Sequence, residues 1–284
     1  MTTFNTIVIL FFYVVFFSFN GVIFVRLRLS TSKNILLVGD LKIKIIDGYV
    51  AIFGAEFRSG AEITIDRFMS APLEIIEDSE IEVEFGDEGY ITETPIKLIP
   101  DSWKEVASKI LGLPKGAKVF VCADVDSGKS GFICYTVNRC ISKGKKVAVI
   151  GADTGQSEMN PPTTIGLAIV SKPIIHLSEL SYVNAFFVGS TSPAGMFERS
   201  IIGVMKMLER ALNMGVDLVL INTTGWVHGA GGRELKEIKF IAVRPDMIVI
   251  LEKEKGELNY LAALAERMGI ELSLIHISEP TDRG

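Results

Sequence analysis

The chain has 284 residues, with 29 basic and 34 acidic side chains and a formal net charge of −5. That length admits one large or two modest domains, and the acidic balance excludes the broad basic field of a duplex-coating protein, leaving only local contact with nucleic acid at an end or in a groove. Three cysteines without a CxxC pair and only three histidines argue against a disulfide framework or a Cys/His zinc site, and fit a reducing cytoplasm.

Residues 1–25 carry no charged side chain and hold seven of the 17 phenylalanines. The run 7–25 (IVILFFYVVFFSFNGVIFV) is long enough to cross a bilayer, and it lacks the basic start and the cleavage site of a signal peptide. Arg26, Arg28 and Lys33 follow it, so insertion would leave the rest of the chain on the cytoplasmic side. The other reading is a stretch translated from too far upstream, and then the protein is simply cytoplasmic; both readings stand.

Residues 26–100 are expected to form a small all-β domain. NILLVGD, KIKIIDG, YVAIFGAEF, AEITIDRF, LEIIEDSEIEVEFG and ITETPIKLI are β-branched or aromatic runs broken by Gly, Asp and Asn, with no helical period between them. Six such runs predict a sandwich or barrel. Asp101 or Ser102 then caps a helix reaching residues 110–111, which Pro114-Lys115-Gly116 ends.

From 101 to 271 the pattern changes. Apolar strands at 118–122, 146–150, 164–170, 184–188, 217–222 and 247–251 alternate with helical segments at 129–142, 196–214, 232–242 and 256–268. Continuously apolar strands alternating with helices predict an α/β fold, a parallel sheet with helices on both faces, and the loop ADVDSGKS at 123–130 makes it the P-loop NTPase type. Residues 272–284 are expected to be a non-native tail, because LSLIHISEPT (272–281) resembles the translation of a sequencing-library transposase adapter. On that reading His276 has no function.

The chemistry starts at residues 123–130, ADVDSGKS. The string matches GxxxxGK[ST] except that Ala123 replaces the first glycine, and it lies between an apolar strand and a helix. In such a loop the backbone amides of Asp124, Val125, Asp126, Ser127 and Gly128 turn toward phosphates at a helix N-terminus. Lys129 would reach the β/γ-phosphates of ATP or GTP, and the Ser130 hydroxyl would ligate Mg²⁺. The next strand ends at Asp153, on the edge of the sheet where ligands bind. A carboxylate there can ligate the metal or accept a proton from an attacking hydroxyl. No NKxD string is present for guanine recognition, and no LSGGQ-type signature follows, so a Ras-like GTPase and a transporter ATPase are both disfavoured.

Three further strings accompany the loop: DTGQSEMNPPTTIG (153–166), GSTSPAG (189–195) and NTTGWVHG (222–229). Together with DSGKS they resemble the polynucleotide 5′-hydroxyl kinase family, over about residues 30–271. That family includes archaeal polynucleotide kinases and eukaryotic kinases of pre-mRNA cleavage and ribosomal-RNA processing. The resemblance implies a small N-terminal β domain, a P-loop kinase domain and a C-terminal domain. It implies ATP (or GTP) and Mg²⁺ as cofactors, a single-stranded RNA or DNA 5′-OH end as substrate, and RNA-processing proteins as partners.

On matching positions, Lys129 and Asp153 would be catalytic, with Ser130 and Asp153 at the metal. Gln156, Thr163 and Thr164 would touch the substrate. Thr163 stands where the family's clasping segment usually has glycine, which puts its backbone geometry in question. Gly151 stands where many archaeal relatives carry an additional aspartate. Trp226 would stack on the terminal base, a contact worth about 1–3 kcal/mol that tolerates any base. His228 reads as an ordinary loop histidine.

The resemblance also implies a lid carrying catalytic arginines after a strand that begins near residue 270. The adapter-like string occupies that place, so this chain is expected to bind nucleotide and turn over slowly. A scaffold that binds nucleotide without phosphoryl transfer is the alternative expectation.

Overall fold

The computed structural model describes residues 14–19 and 22–277, with side chains from residue 24 onward. The chain divides into two compact units, residues 1–100 and 101–284.

The first unit is an antiparallel sheet built on eight strands: β1 (Val14–Phe19), β2 (Val22–Leu29), β3 (Asn34–Val38), β4 (Leu41–Ile52), β5 (Ala55–Arg58), β6 (Glu62–Ile65), β7 (Ser70–Phe85) and β8 (Tyr90–Glu93). The long β7 organises it. On one edge β7 pairs with β2 and β3 in series, and on the other with β4. Alternation sets the faces: Leu41, Ile43 and Ile45 are buried while Lys42 and Lys44 between them are exposed.

The sequence break expected at Asp47-Gly48 is not a strand end. KIKIIDG and the start of YVAIFGAEF form one continuous β4, whose register against β7 shifts between Ile45 and Val50. Gly48 sits there with φ 95°, and a Cβ on it would lie 2.3 Å from Ser79 Oγ and 2.6 Å from the Asp78 carbonyl. The glycine serves a bulge rather than a turn, which is why a breaker residue misleads at this position.

The run 7–25 lies partly outside the described residues. Its described parts form β1 and the start of β2, which pair as antiparallel strands. Among the described residues no helix is long and apolar enough to cross a membrane.

The second unit runs α1 (Asp101–Leu111), β9 (Ala117–Ala123), α2 (Lys129–Ile141), β10 (Val147–Ala152), β11 (Thr164–Val170), β12 (Tyr182–Phe187), α3 (Phe197–Asn213), β13 (Leu218–Thr223), α4 (Gly229–Val243), β14 (Met247–Glu252), α5 (Asn259–Met268) and β15 (Glu271–His276). Its seven strands lie in the order β12-β11-β10-β13-β9-β14-β15. Every residue of β10 and β14 is buried, as expected of strands covered on both faces. One face packs Phe120, Ile150, Ile221 and Ile250 against Val204 and Met207 of α3, Phe240 of α4 and Leu261 of α5. On the other side of the unit α1 packs on α2, with Trp103 edge-on to Phe132 at 5.6 Å between ring centroids.

The sheet is mixed rather than wholly parallel. β10, β13, β9, β14 and β15 are mutually parallel, while β11 runs antiparallel to β10 and β12 antiparallel to β11. The reason is local. A parallel return needs a crossover of about a dozen residues or more, usually a helix. Residues 153–163 contain no helix, and the Thr163 amide bonds back to the Thr154 carbonyl at 2.8 Å, folding the segment into a tight return. The adapter-like residues 272–276 lie on β15, whose Ile275 is buried, and His276 stands 4.0 Å from Glu252. Residues 278–284 are outside the described ones.

Candidate active site

The parallel strands β9, β10 and β13 end on one edge of the sheet, and their C-terminal loops build two adjoining cavities. The first, of about 400 Å³, is lined by residues 124–131 together with Asp153, Gln156, Glu158, Asn222, Thr223 and Gly225. The loop leaves β9 at the fully buried Ala123, and turns through Asp126 at φ 55° and Gly128 at φ 67° before α2 begins at Lys129. Positive φ costs glycine nothing and strains an ordinary side chain. The loop residues and the N-terminus of α2 thus line the cavity, the setting in which P-loops hold a phosphate.

Charge in this cavity is arranged by burial. Burial pushes the Lys129 ammonium below its ordinary value, against the opposing pull of Cys122, Asp153, Glu158 and Asp124. Ser130 Oγ donates to Glu158 Oε1 at 2.8 Å. Asp153 Oδ1 accepts from the Gly155 and Gln156 amides at 2.9 and 3.0 Å, which fixes the side chain at the end of β10. Asn222, at the end of β13, lines the same cavity, and its Oδ1 is buried with no hydrogen-bond partner among the described residues. Ser130, Asp153, Glu158 and the Asn222 amide carbonyl are oxygen donors. An all-oxygen donor set with an orphaned buried carbonyl fits a hard divalent cation such as Mg²⁺.

The second cavity, of about 500 Å³, shares Asp124, Val125, Asp153, Gln156 and Gly225 with the first. Its far wall is Trp226, His228 and residues 191–194. Trp226 is half-buried. Its ring lies on the first turn of α4, where a Cβ on Gly231 would come within 2.9 Å of it, and tilts against Phe197 at 6.2 Å. Gly225 lets this loop close on the phosphate loop, since a Cβ there would lie 2.7 Å from Val125 Cγ2.

His228 has more to do than a loop histidine. Its Nε2 lies 3.0 Å from Asp124 Oδ2 and 3.2 Å from Glu257 Oε1, so it bridges the phosphate loop to the turn before α5. The Asp124 hydrogen bond raises the His228 pKa, and Glu257 adds to it. Burial works to raise the Asp124 carboxyl, but the Val125 amide and His228 outweigh it and hold it below the ordinary carboxylate value.

Thr163 and Thr164 stand apart from both cavities, at the base of the β10–β11 return. Thr163 adopts φ 68°, the region where glycine would be at ease, and its carbonyl accepts from the Val188 and Gly189 amides. Thr164 Oγ1 donates to the Pro161 carbonyl at 2.6 Å.

Beneath the site lie two lysines that sequence reading passed over. Lys236 and Lys239, one turn apart on α4, are 0% and 1% exposed. Lys236 Nζ donates to Thr223 Oγ1 at 2.7 Å and to the Thr224 carbonyl, and Lys239 Nζ donates to the Ala152 carbonyl at 3.3 Å. Burial lowers them to about 7 and about 8. One helix thereby ties down both strand ends, that of Asp153 and that of the Trp226 loop. The signal was available, because both fall on the stripe of α4 that also buries Gly232, Leu235, Phe240 and Val243. Charged residues on a core-facing stripe ask for partners.

A phosphate loop between β9 and α2, on the carboxyl edge of a sheet in this strand order, defines a P-loop nucleotide-binding protein. The model of the mRNA cleavage and polyadenylation factor CLP1 P-loop family matches residues 123–280, over half of the chain, and the chain belongs to that family. A polyribonucleotide 5′-hydroxyl-kinase of Pyrococcus furiosus is 41% identical over 176 residues, 62% of this chain and 49% of the relative. One of Methanocaldococcus jannaschii is 34% identical over 155 residues, 55% of this chain and 42% of the relative. The chain thus spans about half the length of the curated relatives it matches. The solved Clp1p–Pcf11p complex shares the fold, with a TM-score of 0.69 at 12% identity, covering 88% of this chain and 66% of that one.

Proposed function

We propose that the protein is a polynucleotide 5′-hydroxyl kinase that moves the γ-phosphoryl group of ATP to the 5′-OH end of single-stranded RNA or DNA, in RNA processing. The observation that carries this reading is the shared wall of the two cavities. Asp153 lies on both, with the phosphate loop on one side and Trp226 on the other.

In-line transfer needs donor and acceptor held end to end, and holding them so removes most of the entropic barrier. The loop amides and Lys129 would hold the phosphates and offset charge on the transferred group. Trp226 offers an aromatic face to the terminal base, which suits an enzyme that reads an end rather than a sequence. Asp153, fixed by two amides, would accept the proton of the 5′-hydroxyl as that oxygen attacks. Ser130, Asp153 and Asn222 would hold Mg²⁺, with Glu158 behind Ser130, and the ion would supply neutralisation of phosphate charge when bound.

Transfer of labelled γ-phosphate from ATP to 5′-OH oligoribonucleotides and oligodeoxynucleotides tests the proposal. Wild type is expected to label the 5′-OH end and to leave a 5′-phosphorylated oligonucleotide unlabelled. Asp153→Asn keeps an oxygen to accept the two amides, and is expected to lower the rate about 10²–10⁴-fold while nucleotide still binds. A wild-type chain that binds ATP and labels no oligonucleotide would sink the reading, and near-normal labelling by Asp153→Asn would remove the base role.

A further inference from the structure

Gly151 on β10 and Gly166 on β11 are register partners across an antiparallel pair. A Cβ on Gly151 would lie 2.3 Å from Asn160 Oδ1, and one on Gly166 would lie 2.6 Å from Asn160 Cβ. The two glycines therefore form a notch in the sheet surface, and the Asn160 side chain fills it. Asn160 is 7% exposed. Its Nδ2 donates to the Thr164 carbonyl and to Thr164 Oγ1, both at 3.0 Å, and its Oδ1 accepts from Ser157 Oγ at 2.6 Å. Any side chain at 151 or 166 would expel it.

Seating Asn160 pins the segment 157–164 onto the sheet, and Glu158 projects from that segment to the start of α2. There its Oε1 accepts the Ser130 hydroxyl at 2.8 Å, and its Oε2 lies 3.6 Å from His176 Nε2. Glu158 shares the phosphate cavity with Lys129, Asp153 and Asn222.

A serine that ligates a cation through its lone pairs must send its proton elsewhere. Glu158 Oε1 is the acceptor in place. Carboxylates that accept from a metal ligand fix its orientation and raise its basicity, and losing one commonly weakens metal binding about 10–100-fold.

We propose that Glu158 is the metal-positioning residue of the phosphate cavity, acting through Ser130, and that Asn160 in the Gly151–Gly166 notch sets its position. This rests on reading the cavity as an ATP and divalent-cation site, and is independent of what accepts the phosphoryl group. The notch makes room for the loop at the cost of any side chain at position 151, so the carboxylate reaches the cavity from the loop rather than from the strand.

The test is Mn²⁺ binding to the full chain with a non-hydrolysable ATP analogue, followed by electron paramagnetic resonance, beside analogue binding without metal. Glu158→Gln is expected to weaken Mn²⁺ about 10–100-fold in the ternary complex while metal-free analogue binding is not weakened. Asn160→Ala should produce a smaller loss of the same kind. In a Ser130→Ala background, Glu158→Gln should add little, because the two act as one unit.

Unchanged Mn²⁺ affinity in Glu158→Gln, or full additivity with Ser130→Ala, would overturn the assignment. A wild type that binds the analogue equally with and without Mn²⁺ would overturn both this and the ATP-site reading. Metal-linked binding that Glu158→Gln abolishes supports the assignment even where no 5′-OH oligonucleotide is labelled, an outcome that counts against the kinase reading alone.

Discussion

The two units treat charge in opposite ways. In the N-terminal sheet, charged side chains sit on the solvent face and pair across rungs. Arg26 meets Glu82 at 3.0 Å and Lys42 meets Glu84 at 2.8 Å, each directly opposite its partner in register. In the phosphate-loop unit, charge goes inside. Lys236 and Lys239 are fully buried under the strand ends, and Glu252, 2% exposed, accepts the Gly256 and Glu257 amides. Surface pairs trade water for a partner at little net gain. A buried charge is tolerated only where hydrogen bonds hold it, so it also fixes whatever it bonds to. What Lys236 and Lys239 bond to is the backbone that carries Asp153 and Trp226.

Three substitutions would break or sharpen that contrast. The largest effect is expected at Lys129, which lines the phosphate-loop cavity. Lys129→Met should lower the rate of phosphoryl transfer about 10²–10³-fold, the size seen when one preorganised electrostatic contact is removed. A rate within a few-fold of wild type, measured with labelled ATP, would show that the buried positive charge of this unit is structural only.

Next comes the pH dependence of stability. Lys236 falls to about 7 in the folded chain from an ordinary 10.5, and Lys239 to about 8. Across the window from about 7 to 10.5 the unfolded chain therefore binds more protons than the folded one. Stability is fully present above 10.5 and is lost as pH falls through 7. Lys236→Met removes its share of that slope. Thermal melts at pH 7 and pH 9.5 should show wild type gaining on the variant at the higher pH, and a constant difference would mean that the charge is not held in the core.

The smallest effect belongs to the first unit. Lys33, which reaches both oxygens of Glu93 at 2.7 and 2.8 Å, remains partly exposed. Lys33→Ala should cost about 1 kcal/mol or less in urea unfolding, less still at high salt. A loss as large as that of a buried charge would erase the contrast.

Much of this was readable along the chain, because it depends on neighbours in sequence. ADVDSGKS carries its own context, an apolar strand before and a helix after, and the structure puts Asp124, Asp126, Lys129 and Ser130 around one cavity. Asp153 was legible as the end of a buried strand, and it lies on the shared wall. Glu158 and Asn160 were not, since their place follows from a notch made by two glycines that meet only when β10 pairs with β11. His228 gave no sign of its partners, which lie at positions 124 and 257.

By itself the sequence determined the alternation of strands and helices between residues 101 and 268, the phosphate loop and the strand end that carries Asp153, because apolar period, breakers and loop chemistry act over a few residues. Only the tertiary structure decided the direction of β11 and β12, the burial of Lys236 and Lys239, and the contact of Glu158 with Ser130. Those depend on which distant strand ends meet at one edge of the sheet. Strand pairing and the packing of α4 settle that, and no local pattern encodes it.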